Sequence, residues 1–286
     1  MIRVDLHSHV GIIEYKWKGR DVEIYKGDLL KTALQHLKEG NHAVAITTEN
    51  AKKSYKMIKY LESVLRKYPI PIDFFPAEEI YTEDGELVIV YPQDVEPESI
   101  EHTEKHVYDS SFMERVDNAK EHGAIVFLPH PFNHLISFID NETNLCMGWS
   151  LFDEKLNLRE KYKDFFSRVD AIEVLNGSFS LFYHYPKFRR ISISPIKKAF
   201  LVCRKYGLPM LGNSDSHSPE FVGTAYSLTG DDPIKSIKRG FVYPQLNTRK
   251  LTPKLFFSQL LSHYKNKEIS KLPRALKQNL LKSLYL

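Results

Sequence analysis

Seven short apolar runs interleaved with helical stretches constrain this chain more than any other feature. The runs are Ile2–His7, His42–Thr47, Ile72–Pro76, Glu86–Tyr91, Ala124–Leu128, Ala171–Leu175 and Pro209–Gly212. They are rich in Val and Ile and bounded by polar or turn residues, the pattern of buried strands. Helical segments are expected at Asp28–Lys38, Lys52–Lys67, Ser110–His122 and Pro195–Tyr206. Asp28 caps the first, which ends before Gly40. The last stops at Gly207 with Pro209 just beyond, a helix C-terminus leading into a strand. Such alternation over 286 residues implies a parallel sheet, as a barrel or a doubly wound layer.

No run approaches the roughly 18 apolar residues needed to cross a bilayer. Met1–Asp5 leads straight into the first strand, so no signal peptide is expected. Two cysteines, Cys146 and Cys203, make no disulfide framework, and a reducing cytoplasm is the simplest location. Residues 132–160 read as an irregular insertion, either a lid or a plain surface excursion. After Gly240 the pattern changes, and Leu251–His263 and Leu272–Leu284 are expected as amphipathic helices. Residues 1–240 are thus one barrel-sized unit, and 241–286 a C-terminal helical extension. Charge is divided unevenly. From Lys235 onward there are 12 Lys and Arg against one acid, Glu268, a net +11, which leaves −7 for residues 1–234. A basic tail on an acidic body suits an anionic partner such as nucleic acid, although charge runs are more often solvated helix faces.

The polar residues fall where chemistry gathers in parallel α/β folds, at the C-terminal ends of strands. His7 and His9 follow the first strand, Thr48-Glu49-Asn50 the second and Glu78-Glu79 the third. His130 follows the fifth, Glu173 and Asn176 end the sixth, and Asp215 and His217 follow the seventh. An H-x-H alone is weak, since about one chain in two of this histidine content would carry one by chance. The joint pattern is more specific. On an extended segment both imidazoles of His7-x-His9 point the same way and can grip one ion, as can Asp215 and His217. Imidazole with carboxylate is the ligand mix of Zn, Mn and Fe sites.

At these residues the chain resembles a known family. Asp5-Leu-His7-Ser-His9, Ala77-Glu-Glu79-Ile80, Leu128-Pro-His130-Pro131, Asp170-Ala-Ile-Glu-Val-Leu-Asn176 and Gly207-Leu-Pro-Met-Leu-Gly-Asn-Ser-Asp215-Ser-His217-Ser-Pro resemble, in order, the motifs of the PHP (polymerase and histidinol phosphatase) family. The resemblance covers roughly residues 1–230. It implies a distorted (β/α)7 TIM-like barrel, a centre of two or three divalent ions and phosphoesterase chemistry. Residue by residue, it implies His7, His9 and Asp215 at a first ion, Glu79 as a bridging carboxylate, His130 at a second ion and His217 at a third. Thr47-Thr48-Glu49 stands where the family often has Thr-Asp-His, and Glu14 where it often has Asp, so the third ion would fall to Glu14, Glu49 and His217. The family's further histidine after the fourth strand has no clear counterpart. Val88 and Ile89 occupy the region, and His102 or His106 would have to loop back.

The implied reaction is hydrolysis of a phosphate ester by a metal-activated water, with Mn, Zn or Fe as the ion. His217, Glu49 and His134 are the candidates to protonate the leaving group. Asn176 and His134 are candidates for substrate contact. The substrate class stays open between a phosphomonoester, a nucleotide and an oligonucleotide. An amidohydrolase-type barrel also uses H-x-H and a late Asp, but no lysine stands at a mid-barrel strand end to bridge its ions. A rival of another class is a catalytically weak PHP-like barrel that binds nucleic acid through the basic tail.

Overall fold

Each of the seven runs forms a strand, and two more strands follow them. The computed structural model describes residues 1–9, 26–66, 71–82, 84–95, 112–132, 146–180, 189–252 and 255. The strands are β1 (Ile2–Ser8), β2 (Ala43–Thr48), β3 (Asp73–Thr82), β4 (Gly85–Val90), β5 (Ile125–Leu128), β6 (Ala171–Asn176), β7 (Met210–Asn213), β8 (Ala225–Thr229) and β9 (Val242–Leu246). They form one sheet in the order β7-β6-β5-β4-β3-β2-β1-β8-β9. The sheet curls until its ends meet, giving a nearly closed mixed α/β barrel. β7 lies against β1, β8 and β9, and Ser8 bridges to Ser216 in parallel fashion. Instead of a ladder, one hydroxyl joins β7 to β8. Ser227 Oγ accepts from Gly212 N and donates to Gly212 O, both at 2.9 Å.

The expected all-parallel sheet needs correction. β1–β2, β2–β3, β5–β6 and β6–β7 are parallel, whereas β4 runs antiparallel to both β3 and β5, as does β8 to β1 and β9. The cause at β4 is the link from β3. Thr82 pairs with Gly85, leaving two residues between the strands, and a parallel crossover needs about a dozen. Asp84-Gly85 is the sequence mark of such a hairpin. β8 and β9 lie beyond the seven expected runs, and β9 contains Pro244, which belongs on an edge strand. β9 also carries the sheet past residue 240.

The helices are α1 (Lys26–Lys38), α2 (Ala51–Leu65), α3 (Phe112–Glu121), α4 (Arg189–Tyr206) and α5 (Pro233–Lys238), with single turns between. α4 starts six residues earlier than expected. Pro195, which reads as a first-turn residue, lies inside the helix, where it forgoes one backbone hydrogen bond. Val4, Leu6, Ala45, Ala77, Val88, Phe127 and Leu211 meet in one cluster that fills the barrel, and Ile234 and Ile237 of α5 join it. Val44 and Ile46, alternating with Ala43 and Ala45, pack outward on Leu29 of α1 and Met57 and Leu61 of α2. β2 is therefore buried on both faces, as a barrel strand under helices must be. Of the 132–160 insertion, Cys146, Met147, Leu151 and Phe152 pack into the core, while Glu154, Lys155, Asn157, Arg159 and Glu160 are exposed. Both cysteines are buried, and Cys146 Sγ lies 3.7 Å from His130 Nδ1. Leu251 packs on Phe221, but most of the two expected C-terminal helices lies outside the described residues. Among the described residues no helix is long and apolar enough to cross a membrane.

Candidate metal centre

β1 and β6 each gain one residue on their neighbour where they carry functional side chains. The register of β1 on β2 slips between Asp5 and Ser8, and that of β6 on β7 between Glu173 and Leu175. Such bulges re-aim side chains beside active sites. His7 and His9 then face each other, with 3.1 Å between their Nε2 atoms. Glu79 of β3 lies 3.4 Å from His7 Nε2 and 3.3 Å from His9 Nε2. Asp215 Oδ1 lies 3.6 Å from His7 Nε2 and 3.5 Å from His9 Nε2. Asp215 and His130 both have positive φ, 47° and 27°, so each turns its side chain off the end of its strand.

A second group sits beside the first. His130 Nε2 is 3.9 Å from Glu79 Oε1 and 3.3 Å from Glu86 Oε2. Glu79 thus belongs to two groups of ligand atoms, His7–His9–Glu79 and Glu79–Glu86–His130, each with its atoms within 4.8 Å of one another. A third group joins His9, Asp215 and His217, with His217 Nδ1 3.7 Å from Asp215 Oδ1.

Glu86 stands at the start of its strand, where the rule for parallel folds places no functional residue. β4 runs backwards, so its first residues, not its last, lie on the functional face of the barrel. The Asp84-Gly85 hairpin mark was the signal that could have found it.

Behind these ligands stands a bracing layer. Glu173 Oε1 is 3.3 Å from His7 Nδ1, the carboxylate–imidazole pairing that fixes which ring nitrogen faces an ion. Glu173 is itself held by Asn213 Nδ2 (2.9 Å), Asn176 Nδ2 (2.8 Å) and the His130 backbone N–H (2.9 Å). Asn176 Nδ2 also reaches Asp215 Oδ2 at 3.1 Å. Asp5 accepts from Ser214 N, and burial raises its carboxyl to about 7. The middle residues of the two ligand tripeptides are joined, Ser8 Oγ to Ser216 Oγ at 2.7 Å. Ser8 Oγ also meets His36 Nε2 of α1 at 2.9 Å, while Asn41 Nδ2 donates to His36 Nδ1 at 2.7 Å. The Nδ1 atom is therefore the acceptor, Nε2 carries the proton, and the Ser8 hydroxyl is left to donate to Ser216.

This relay yields a pH prediction. Burial, with Arg3 and Lys250 nearby, lowers the His36 pKa to about 3. The unfolded chain has an ordinary histidine there and binds a proton near pH 6.5. The contribution of neutral His36 to stability is thus complete above about 6.5. It is lost as pH falls toward 3, at up to about 1.4 kcal/mol per pH unit. Melting temperatures of the wild type and His36→Gln between pH 4 and 7 should show a shallower acid limb for the variant. Parallel limbs would contradict the prediction.

The other residues singled out from sequence are placed as follows. Glu49 is half-exposed and pairs with Lys53 at 2.9 Å, one turn along, so it is not brought into the clusters. Asn50 beside it caps α2, accepting from Lys52 N and Lys53 N. The segment that carries Asp-His in the resembled family here serves a helix start. Glu14, His102, His106 and His134 lie outside the described residues. The basic tail beyond residue 255 does too.

The side chains suit cations. Glu79, Glu86, Glu173 and Asp215 are all buried within one neighbourhood, with imidazoles between them. Burial opposes a charged His7 ring, yet Asp215, Glu173 and Glu79 outweigh it and raise its pKa well above normal. Burial, then Glu79 and Asp215, push the Glu86 carboxyl well up. Among the described residues Glu86 Oε2 has no hydrogen-bond partner. So many buried acids sharing one space call for positive charge between them.

The chain is similar to several known proteins. Residues 196–239 match the family model described as PHP-associated. Over 211 residues the chain is 29% identical to an uncharacterised protein of Methanocaldococcus jannaschii, covering 73% of this chain and 66% of that one. The fold is similar to that of a two-domain protein of Bacteroides vulgatus described as containing a predicted PHP-like metal-dependent phosphoesterase. The TM-score is 0.50 and the identity 14%, over 86% of this chain and 65% of that one. In both pairings this chain spans just under two thirds of the other protein. It is also similar to PsfC of Pseudomonas syringae, with a TM-score of 0.55 and 13% identity over 93% of this chain and 99% of that one. Residues 196–239 are thus similar to the PHP-associated family model, and the fold is similar to that of a protein described as containing a predicted PHP-like metal-dependent phosphoesterase.

Proposed function

We propose that the chain is a metal-dependent phosphoesterase that hydrolyses a phosphate ester with a metal-activated water. One observation carries the reading: Glu79 is shared between two buried groups of ligand atoms, as a carboxylate between two ions must be. Paired ions of this kind clamp the phosphoryl oxygens and bring a bound water toward a pKa near 7. The chain's own residues supply the rest. His7, His9, Glu79 and Asp215 would hold the first ion, and Glu79 and His130 the second. Glu173 keeps His7 Nε2 turned inward by engaging Nδ1. Manganese, zinc and iron all accept this imidazole–carboxylate mix. The decisive experiment strips the protein, adds back each ion and assays phosphomonoesters, nucleotides and oligonucleotides. Absence of hydrolysis with every ion would overturn the reading. So would less than about one ion per chain after metal-sparing purification.

His217 is the group proposed to handle the leaving-group proton. Its side chain is 15% exposed, against 0%, 3% and 4% for His7, His9 and His130, so it is the imidazole nearest solvent. His217→Ala should slow hydrolysis of an alkyl phosphate by about 10²–10⁴-fold, the usual worth of a positioned acid. Nitrophenyl phosphate, whose leaving group needs little protonation, should lose much less. Equal losses on both substrates would assign His217 to ion binding instead.

The +11 charge of residues 235–286 favours an extended anionic substrate, RNA or DNA, over a small one. Lys→Glu changes at Lys271, Lys277 and Lys282 should weaken oligonucleotide binding and its salt dependence while sparing nitrophenyl phosphate. Unchanged binding would favour a small phosphomonoester.

A further inference from the structure

We infer that Glu86 is a ligand of the second ion, and that its carboxylate makes the two positions unequal. The first position, tight and imidazole-rich, is His7, His9, Glu79 and Asp215. The second, Glu79, Glu86 and His130, is oxygen-rich and exchangeable, and prefers manganese or magnesium to zinc. This rests on the two-ion reading above and adds a ligand and a selectivity to it.

Four observations carry it. Glu86 lies 4% exposed, although β4 starts at a hairpin. It pairs in register with Tyr81, two residues beyond Glu79, so strand alternation puts it on the same sheet face as Glu79. Its Oε2 lies 3.3 Å from His130 Nε2 and accepts no hydrogen bond from any described group. A buried carboxylate oxygen without a donor, against a ring nitrogen that also faces Glu79, is arranged for a shared cation and for little else. Finally, the residue before it is pinned. Gly85 has φ 132°, and a Cβ there would fall 2.7 Å from Met147 Cα and 2.9 Å from Cys146 C. The inward-packed 146–148 segment thus closes directly over the start of β4 and sets where Glu86 points.

The selectivity follows from donor chemistry. Two imidazoles and two carboxylates suit zinc, iron or manganese, whereas two carboxylates and one imidazole move preference toward the harder ions. A carboxylate on the reversed strand also offers a way to complete the centre, since no histidine stands among the described residues 91–95 that follow the fourth strand.

The test uses the full-length protein stripped of metal. Manganese and zinc are titrated separately by calorimetry, and bound ions are counted by elemental analysis after gel filtration. The wild type should bind two manganese ions in two affinity classes. Glu86→Gln, which keeps the shape and removes the charge, should hold the first ion and weaken the second by at least about 100-fold. Glu86→Ala should behave alike, and Glu86→His should raise the affinity of the second position for zinc relative to manganese. Two ions bound by Glu86→Gln with wild-type affinities would overturn the assignment, and two equal affinities in the wild type would overturn the inequality. Because the readout is ion binding, a wild type that takes up two ions yet hydrolyses no phosphate ester would refute the phosphoesterase reading alone. The converse, full hydrolysis with an unaltered second ion in Glu86→Gln, would refute only the role of Glu86.

Discussion

Asp215→Asn is expected to lower phosphate-ester hydrolysis by at least about 10³-fold while leaving the barrel folded. Asp215 is the carboxylate with the widest reach in the centre, within 4.0 Å of ring nitrogens of His7, His9, His130 and His217. Removing its charge would take away a proposed ligand, and several kcal/mol of ion-mediated stabilisation correspond to three or more powers of ten in rate. Asparagine is the informative replacement. Residue 215 has φ 47°, a conformation asparagine tolerates and alanine does not, so backbone strain is kept out of the comparison. Stability should move the other way in stripped protein. Burial already raises the Asp215 carboxyl, and Glu79 adds like-charge repulsion. The metal-free variant should therefore melt no lower than metal-free wild type, whereas added manganese should raise the wild-type melting temperature much more. Near-wild-type turnover, or a metal-free variant that unfolds, would sink this assignment of Asp215. His7→Ala and Glu79→Ala should lose activity to a similar degree, because each removes a ligand of the first position.

Gly212→Ala should destabilise the fold by about 3 kcal/mol, lowering the melting temperature by roughly 6–12 °C in a domain of this size. The barrel closes here. A Cβ at residue 212 would sit 2.7 Å from Tyr226 O and 3.2 Å from Gln245 N, and backbone atoms cannot swing aside as a flexible side chain can. The clash would also push β7 off the Ser227 hydroxyl that satisfies both Gly212 backbone groups. Strain at this point reaches the centre through the next residue. Asn213 Nδ2 holds Glu173, and Asn213 Oδ1 accepts from Leu6 N, one residue before His7. Denaturation curves should show the loss, and the surviving folded protein should bind the first ion more weakly. A melting temperature within about 2 °C of wild type would mean that the seam has room the structure does not show.

Much of the centre was legible in order along the chain. The side chains of His7 and His9 point the same way, because a strand repeats its direction every second residue, and their Nε2 atoms meet. Asp215 and His217 come together for the same reason. The seven runs became strands because Val- and Ile-rich segments bounded by turn residues have nowhere to hide both faces except between a barrel interior and covering helices. Glu49 shows the limit of reading one position at a time. By sequence it follows a strand, as Glu79 does. In the structure its neighbour Asn50 starts a helix at once, and Glu49 turns to Lys53 on the rim.

What the sequence alone determined, then, was local: strand and helix periods, the residues at strand ends, and which pairs of side chains share a direction. What only the tertiary structure decided was which of those ends face one another. The reversal of β4 brings Glu86 to a face that no strand-end rule would search. The bulges in β1 and β6 swing His7 and Glu173 together across 166 residues of chain. The pairing of Ser8 with Ser216 ties two distant ligand tripeptides into one unit. Each depends on strand direction and register, which are set by packing the whole barrel at once and leave no mark at any single position.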